Sequence, residues 1–223
     1  MKPRKHGFTL IELLVTISIM AILIGLLLPA LGAARRHGRS IACLSNVRQI
    51  ALAATMYADD HDAYVGWSPG TDRKQLLYPY LRQGRDNADI DGDQVWQCPA
   101  NDQPARAAGY GFNTRLNAVK LVQIRQPVQT VALVDGGIND DREPTLATHA
   151  FPPSTPTFPA IGRPNPRHPA GGGRGVSVGF ADGHVESLAM APPFYPGLPG
   201  DWLGNGVMDP DDPRYKDPMW DLH

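Results

Sequence analysis

The longest unbroken apolar stretch covers residues 8–28, FTLIELLVTISIMAILIGLLL, twenty-one residues with one charge, Glu12. At about 1.5 Å of rise per residue it forms roughly 30 Å of helix, enough to cross a hydrocarbon core. Further on the pattern becomes periodic. Ile41, Leu44, Val47, Ala51, Ala54 and Ala58 recur every three or four residues, with Arg48 and Gln49 off the stripe, which predicts an amphipathic helix. A single helix over 8–58, roughly 75 Å long, ends at the polar ADDHD. Its first half suits membrane or filament core. The small residues at 51, 53, 54 and 58 let a sheet approach its second half closely.

Shorter runs predict strands. QTVALVD gives one over 130–135, and GVSVGFADGHVESLA gives two, 176–180 and 184–188, around Asp182-Gly183. Asp-Gly is the preferred centre of a type I′ hairpin turn. Residues 95–98 and 119–124 are weaker strands, the latter equally a short helix. The expected fold class is α+β, with a small antiparallel sheet of three to five strands across the C-terminal half of the helix. The proline-laden stretch 139–170 reads as a surface loop. The tail from Ala191 reads as irregular, pinned by Trp202, Tyr215 and Trp220.

Composition narrows the classes. A net charge of -1 argues against nucleic acid as a partner, because neutralising phosphates needs surplus Lys and Arg. Gly 23 and Pro 22 of 223 residues predict a loop-rich head, short of the share that signals disorder. Two cysteines, Cys43 and Cys98, are too few for a disulfide scaffold and lack zinc-motif spacing. Outside the cytoplasm they can bridge helix to head; the alternative is two buried, reduced thiols.

The apolar segment has two readings. MKPRKH followed by a hydrophobic run and ALGAA has the order of a cleaved secretory signal. Against it, the run exceeds the usual 7–15 residues and retains Glu12, an ionisable group costly in hydrocarbon and so a functional candidate. Basic residues flank both ends, Lys2, Arg4 and Lys5 before and Arg35, Arg36 and Arg39 after, so positive-inside counting does not orient it. Pro29 removes a backbone donor and, with Gly25 and Gly32 nearby, predicts a hinge or a membrane-exit kink.

GFTLIELLVTISIMAILIGLLLPAL resembles the class III signal of type IV pilins and type II secretion pseudopilins. The resemblance implies cleavage by a prepilin peptidase after Gly7 and N-methylation of Phe8. Glu12 and Pro29 match the family's characteristic glutamate and helix-breaking proline. In the family's filaments the glutamate faces a neighbouring subunit's terminal amine, a pairing that makes both charges tolerable in oil and fixes register. The resemblance implies a non-enzymatic subunit whose partners are the peptidase, other pilin or pseudopilin subunits, an inner-membrane assembly platform and membrane lipid. It would be a single-pass protein of the bacterial inner membrane, its head periplasmic or extracytoplasmic.

ACLSNVRQIALAATMYADDHDAY, Cys98-Pro99 and the closing RHPAGGGRGVSVGFADGHVESL are similar to pilin-like proteins of planctomycetes and related bacteria. The gap from His168 to Asp182 is longer here than in those relatives. The implied organisation is a leader at 1–7, a transmembrane and assembly helix at 8–30, its amphipathic continuation at 31–60, a globular α+β head at 61–190 and a Pro-rich tail at 191–223.

Head chemistry is a weaker signal. His168, Asp182 and His184, with Asp135 near in sheet order, are candidate metal ligands. They ground an alternative reading as a membrane-anchored or secreted enzyme or binding module. Asp89, Asp91 and Asp93 alternate as calcium ligands do, and Asp209, Asp211 and Asp212 form a second acidic group. Calcium in a head loop of major pseudopilins raises Ca2+ as a candidate cofactor, against the plainer reading of solvated acidic loops. No cofactor is required.

Overall fold

The computed structural model describes residues 9–65, 73–81, 94–101, 109–137, 149–150, 162, 164–170, 173–191, 194 and 219–220. The chain divides into two units, Met1–Gly38 and Arg39–His223. The first helix, α1, spans Leu10–His61 and contributes to both.

In the first unit α1 presents apolar side chains all round. Fifteen large hydrophobic residues from Leu10 to Leu31 are exposed. A helix apolar on every face has no polar side to give to water, which is consistent with a membrane-anchored single-pass segment. Among the described residues it is the one helix long and apolar enough to cross a membrane. The helix continues through Pro29; this proline does not end it.

In the second unit the rest of α1 turns one face to the head. Cys43, Val47, Ile50, Ala51, Ala54 and Ala58 are fully buried. The expected stripe holds from Val47 onward, but its predicted start does not. Ile41 is 69% exposed and the face begins at Cys43, because the disulfide described below fixes that side inward. The helix stops at Asp62, whose φ of 52° is the left-handed conformation that ends helices.

Among the described residues the sheet has six strands: β1 (Tyr110–Asn113), β2 (Val131–Asp135), β3 (His149–Ala150), β4 (His168–Ala170), β5 (Gly173–Phe180) and β6 (Val185–Ala189). Their order is β3-β1-β2-β5-β4, with β6 also on β5. All pairs are antiparallel except β1 with β3. This exceeds the expected three to five strands: β1 lies where the sequence pattern announces no strand, and β3 and β4 fall inside the stretch read as loop. Residues 95–98 are not a strand. A 3-10 turn, Gln94–Trp96, lets consecutive Val95 and Trp96 both face inward, which period-two alternation forbids. Further 3-10 turns span Thr114–Leu116 and Leu121–Gln123, the latter occupying part of 119–124. Among the described residues a second α-helix, α2, spans Arg73–Leu81.

Two glycines set the packing. A Cβ on Gly179 would lie 2.6 Å from Leu133 Cδ2, 3.1 Å from Val47 Cγ1 and 3.2 Å from Ala51 Cβ. The bare backbone of β5 is what allows α1 to lie so close. Gly183 has φ +90° and closes the β5–β6 hairpin. Phe180 N donates to His184 O at 2.9 Å and Gly183 N to Phe180 O at 3.0 Å. With Asp182 outside the left-handed region, this is a three-residue loop with one left-handed glycine rather than type I′. The extra residue matches the Phe180–His184 bond, which a two-residue turn would not form.

The sheet's faces are covered by separate clusters. The α1 face includes Val47, Ala51, Trp96, Phe112 and Leu133. The other includes Val134, Val176, Val178, Phe180, Phe194 and Trp220. Trp220 is fully buried and donates Nε1–H to Phe194 O at 3.1 Å. Asn113 clamps this part of the tail, its Nδ2 donating to Val131 O at 2.8 Å and Trp220 O at 3.0 Å. Trp202 and Tyr215 lie outside the described residues.

Candidate functional site

The first site is the start of α1. Thr9 is its N-cap, and Glu12 occupies the third helical position. Glu12 N donates to Thr9 Oγ1 at 3.2 Å, while Thr9 N and Thr9 Oγ1 each donate to Glu12 Oε2 at 2.8 Å. This is a capping box: each residue satisfies a backbone donor that the first helical turn leaves open. The local reason for Glu12 is legible in Thr-Leu-Ile-Glu, and sequence reasoning missed it. In the single chain Glu12 is therefore engaged with its own helix and exposed. Gly7 and Phe8 lie outside the described residues.

The second site is buried in the head. β2 and β4 both pair with β5, Val134 opposite Val178 and His168 opposite Gly175. The end of β2 and the start of β4 thus converge beside Ser177. His168 Nε2 lies 2.9 Å from Asp135 Oδ2, and the same oxygen accepts from Ser177 N at 2.5 Å. α1 brings Cys43, and the residues after the 3-10 turn bring Cys98; the two are joined as a disulfide across 55 positions. Cys98 Sγ lies 3.5 Å from His168 Nε2. Both cysteines, Asp135 and His168 are almost wholly removed from solvent.

Tyr110 stands opposite Asp135 in the β1–β2 register and donates its hydroxyl to Cys43 O at 3.3 Å. Burial pushes its phenol well above the usual range, and the Asp135 charge adds to that, while the Asn46 hydrogen bond and the Arg167 guanidinium pull it partly back. Arg167 Nη2 donates to Gly136 O at 2.5 Å. The cluster is a polar knot under α1, to which α1, the residues after Gln94–Trp96, β1, β2, β4 and β5 each contribute.

The histidine and aspartates singled out in the sequence are thus sorted differently from the proposed His168, Asp182 and His184 trio. Asp182 and His184 pair with each other at 2.6 Å, partly exposed, at the hairpin tip. His184 stacks on Phe180 with ring centroids 4.1 Å apart. His168 sits opposite Gly175, five residues along β5 from Phe180 and so roughly 17 Å away. The strand separates them. The structure joins His168 instead to Asp135 and the two sulfurs. The calcium candidates Asp89, Asp91, Asp93, Asp209, Asp211 and Asp212 lie outside the described residues.

Sequence reasoning also missed Ser177, although residues 175–179 spell Gly-x-Ser-x-Gly. In hydrolases that pattern exposes a serine on a strand-to-helix turn. Here Ser177 is in the middle of β5, 1% exposed, and its Oγ has no hydrogen-bond partner among the described residues. Nor is Cys98–His168–Asp135 a proton relay. Sulfur and carboxylate both approach Nε2, whereas a relay uses opposite ring nitrogens.

Residues 2–28 match the family described as the prokaryotic N-terminal methylation motif. No curated protein and no solved structure matches the chain.

Proposed function

We propose that this chain, whose methylation motif and long apolar helix fit a type IV pilin-like protein, is a non-enzymatic pilin or pseudopilin subunit. A prepilin peptidase cuts it after Gly7 and methylates Phe8. The mature helix then joins other subunits in a filament of a type II secretion or type IV pilus system. The observation that carries this reading is the matched motif leading into a helix apolar on all faces, its one acid at the fifth position after the cut. The Cys43–Cys98 disulfide supports a head on the oxidising side of the inner membrane.

The capping box sharpens the role of Glu12. Before assembly the carboxylate stabilises the first turn of its own helix. In the filament it also meets the new amine of a neighbour, and neither charge is left alone in an apolar environment. Glu12→Gln separates the two jobs, because glutamine still completes a capping box but carries no charge. Co-expressed with the peptidase, the variant is expected to be cut to methylated Phe8, read by mass spectrometry, yet to leave filaments. Normal incorporation beside wild-type subunits would reject charge pairing and leave only the cap. Recovery of a soluble chain starting near Ala33 would reject the pilin reading itself.

A further inference from the structure

The knot beneath α1 gathers two sulfurs, an imidazole nitrogen and a carboxylate in one dry place. The sulfurs of Cys43 and Cys98 and a ring nitrogen of His168 all lie within 4.8 Å of one another. Asp135 Oδ2 is 2.9 Å from that histidine's Nε2. We propose that, when the cysteines are reduced, Cys43, Cys98, His168 and Asp135 form a closed four-coordinate zinc site, and that disulfide formation expels the metal.

The geometry is near that requirement. Zinc–ligand distances of about 2.3 Å to sulfur and about 2.0–2.2 Å to nitrogen and oxygen, in a tetrahedron, put sulfur and nitrogen roughly 3.5 Å apart and nitrogen and oxygen roughly 3.4 Å apart. Cys98 Sγ and His168 Nε2 already stand at 3.5 Å. Asp135 has to withdraw by about 0.5 Å from its 2.9 Å contact. The two sulfurs part by side-chain rotation once the bond between them is broken.

A second observation points to a missing cation. Asp135 Oδ1 and His168 Nδ1 are both buried without a hydrogen-bond partner among the described residues. Buried polar atoms are rarely left so; with Asp135 Oδ2 already accepting from Ser177 N, Oδ1 is a buried carboxylate oxygen open to a metal. The donor set also selects the metal: two thiolates and an imidazole suit zinc, while calcium and magnesium require oxygen ligands. Zinc would tie β2 and β4 to the two pieces that the disulfide joins, α1 and the residues after Gln94–Trp96, so one head fold serves both states.

The exchange balances. Binding displaces one proton from each thiol as two Zn–S bonds form. Oxidation by thiol–disulfide exchange with a donor disulfide makes the Cys43–Cys98 bond. The donor takes the two electrons, picks up two protons from solvent in place of those released on zinc binding, and leaves as two thiols. Zinc departs, and His168 returns to Asp135. The metal would guard the thiols until the chain meets an oxidant.

The test uses the full chain in detergent micelles, with zinc alone as ligand. Reduced anaerobically with a phosphine, the chain is expected to hold about one zinc equivalent; oxidised, it holds none. Cobalt(II) in the reduced chain should give the thiolate-to-metal charge-transfer bands of a tetrahedral dithiolate site. His168→Ala should weaken zinc at least about tenfold, while His184→Ala leaves it unchanged. The proposal is overturned if the reduced chain takes up no zinc, if the oxidised chain takes up as much, or if His168→Ala binds normally. The redox comparison needs no substitution, so it stands even where a variant fails to fold.

Discussion

Tyr64 places its hydroxyl in the core with no hydrogen-bond partner among the described residues. Burial raises its phenol far above the ordinary value, with the Asp182 charge adding to the shift. The folded state therefore keeps a proton that the unfolded chain releases above about pH 10. Stability associated with that proton is intact below pH 10 and is lost as pH climbs toward the folded value. Tyr110 behaves alike. Tyr64→Phe removes one of these contributions and one stranded hydroxyl. It is expected to stabilise the head by about 1 kcal/mol at neutral pH. Between pH 10 and 12 its loss of stability should be shallower than the parent's by up to about 1.4 kcal/mol per pH unit. Urea titrations across that range check both; a variant as steep as the parent would contradict the buried, protonated phenol. Comparing variant with parent cancels the opposite contribution of Arg73, whose pKa burial lowers to about 10.

Among elements, the contact between α1 and β5 is the most demanding. Val47 and Ala51 lie over a glycine because any side chain at position 179 would occupy their space. Gly179→Ala sets a methyl against Leu133, Val47 and Ala51 and is expected to cost about 1–3 kcal/mol through overpacking, seen as a lower thermal midpoint. Pairing it with Val47→Ala should recover part of that loss, since Val47 Cγ1 is one of the atoms in the way. Unchanged melting in the single variant would show that helix and sheet have room to part. The amphipathic stripe announces that α1 is covered on this face. It does not announce that glycine covers it, a matter settled by which strand lies underneath.

On the scale of the whole molecule, every residue of both buried clusters lies at or after Cys43, within the unit Arg39–His223. The exposed apolar residues of the first unit contribute nothing to that core. A chain beginning at Arg39 is expected to be soluble without detergent and to melt cooperatively, provided Cys43–Cys98 is formed. By the loop-entropy account, closing a loop over 55 positions contributes about 4 kcal/mol. Calorimetry on that fragment, oxidised and reduced, checks it. A fragment that aggregates when oxidised would mean the first unit supports the head after all.

The sequence by itself determined the apolar segment, its lone Glu12, the face of α1 from Val47 to Ala58, the strand ending at Asp135 and the Asp-Gly hairpin. Those features are local: period, run length and turn residues register the burial of each position against its near neighbours. Tertiary structure alone decided that β3 and β4 arise within a proline-rich stretch and that β1 and β3 run parallel. It also gave His168 to Asp135 and the sulfurs rather than to Asp182 and His184. Strand order joins residues far apart in the chain, and no short-range pattern encodes which of several equally suitable partners the packing will choose.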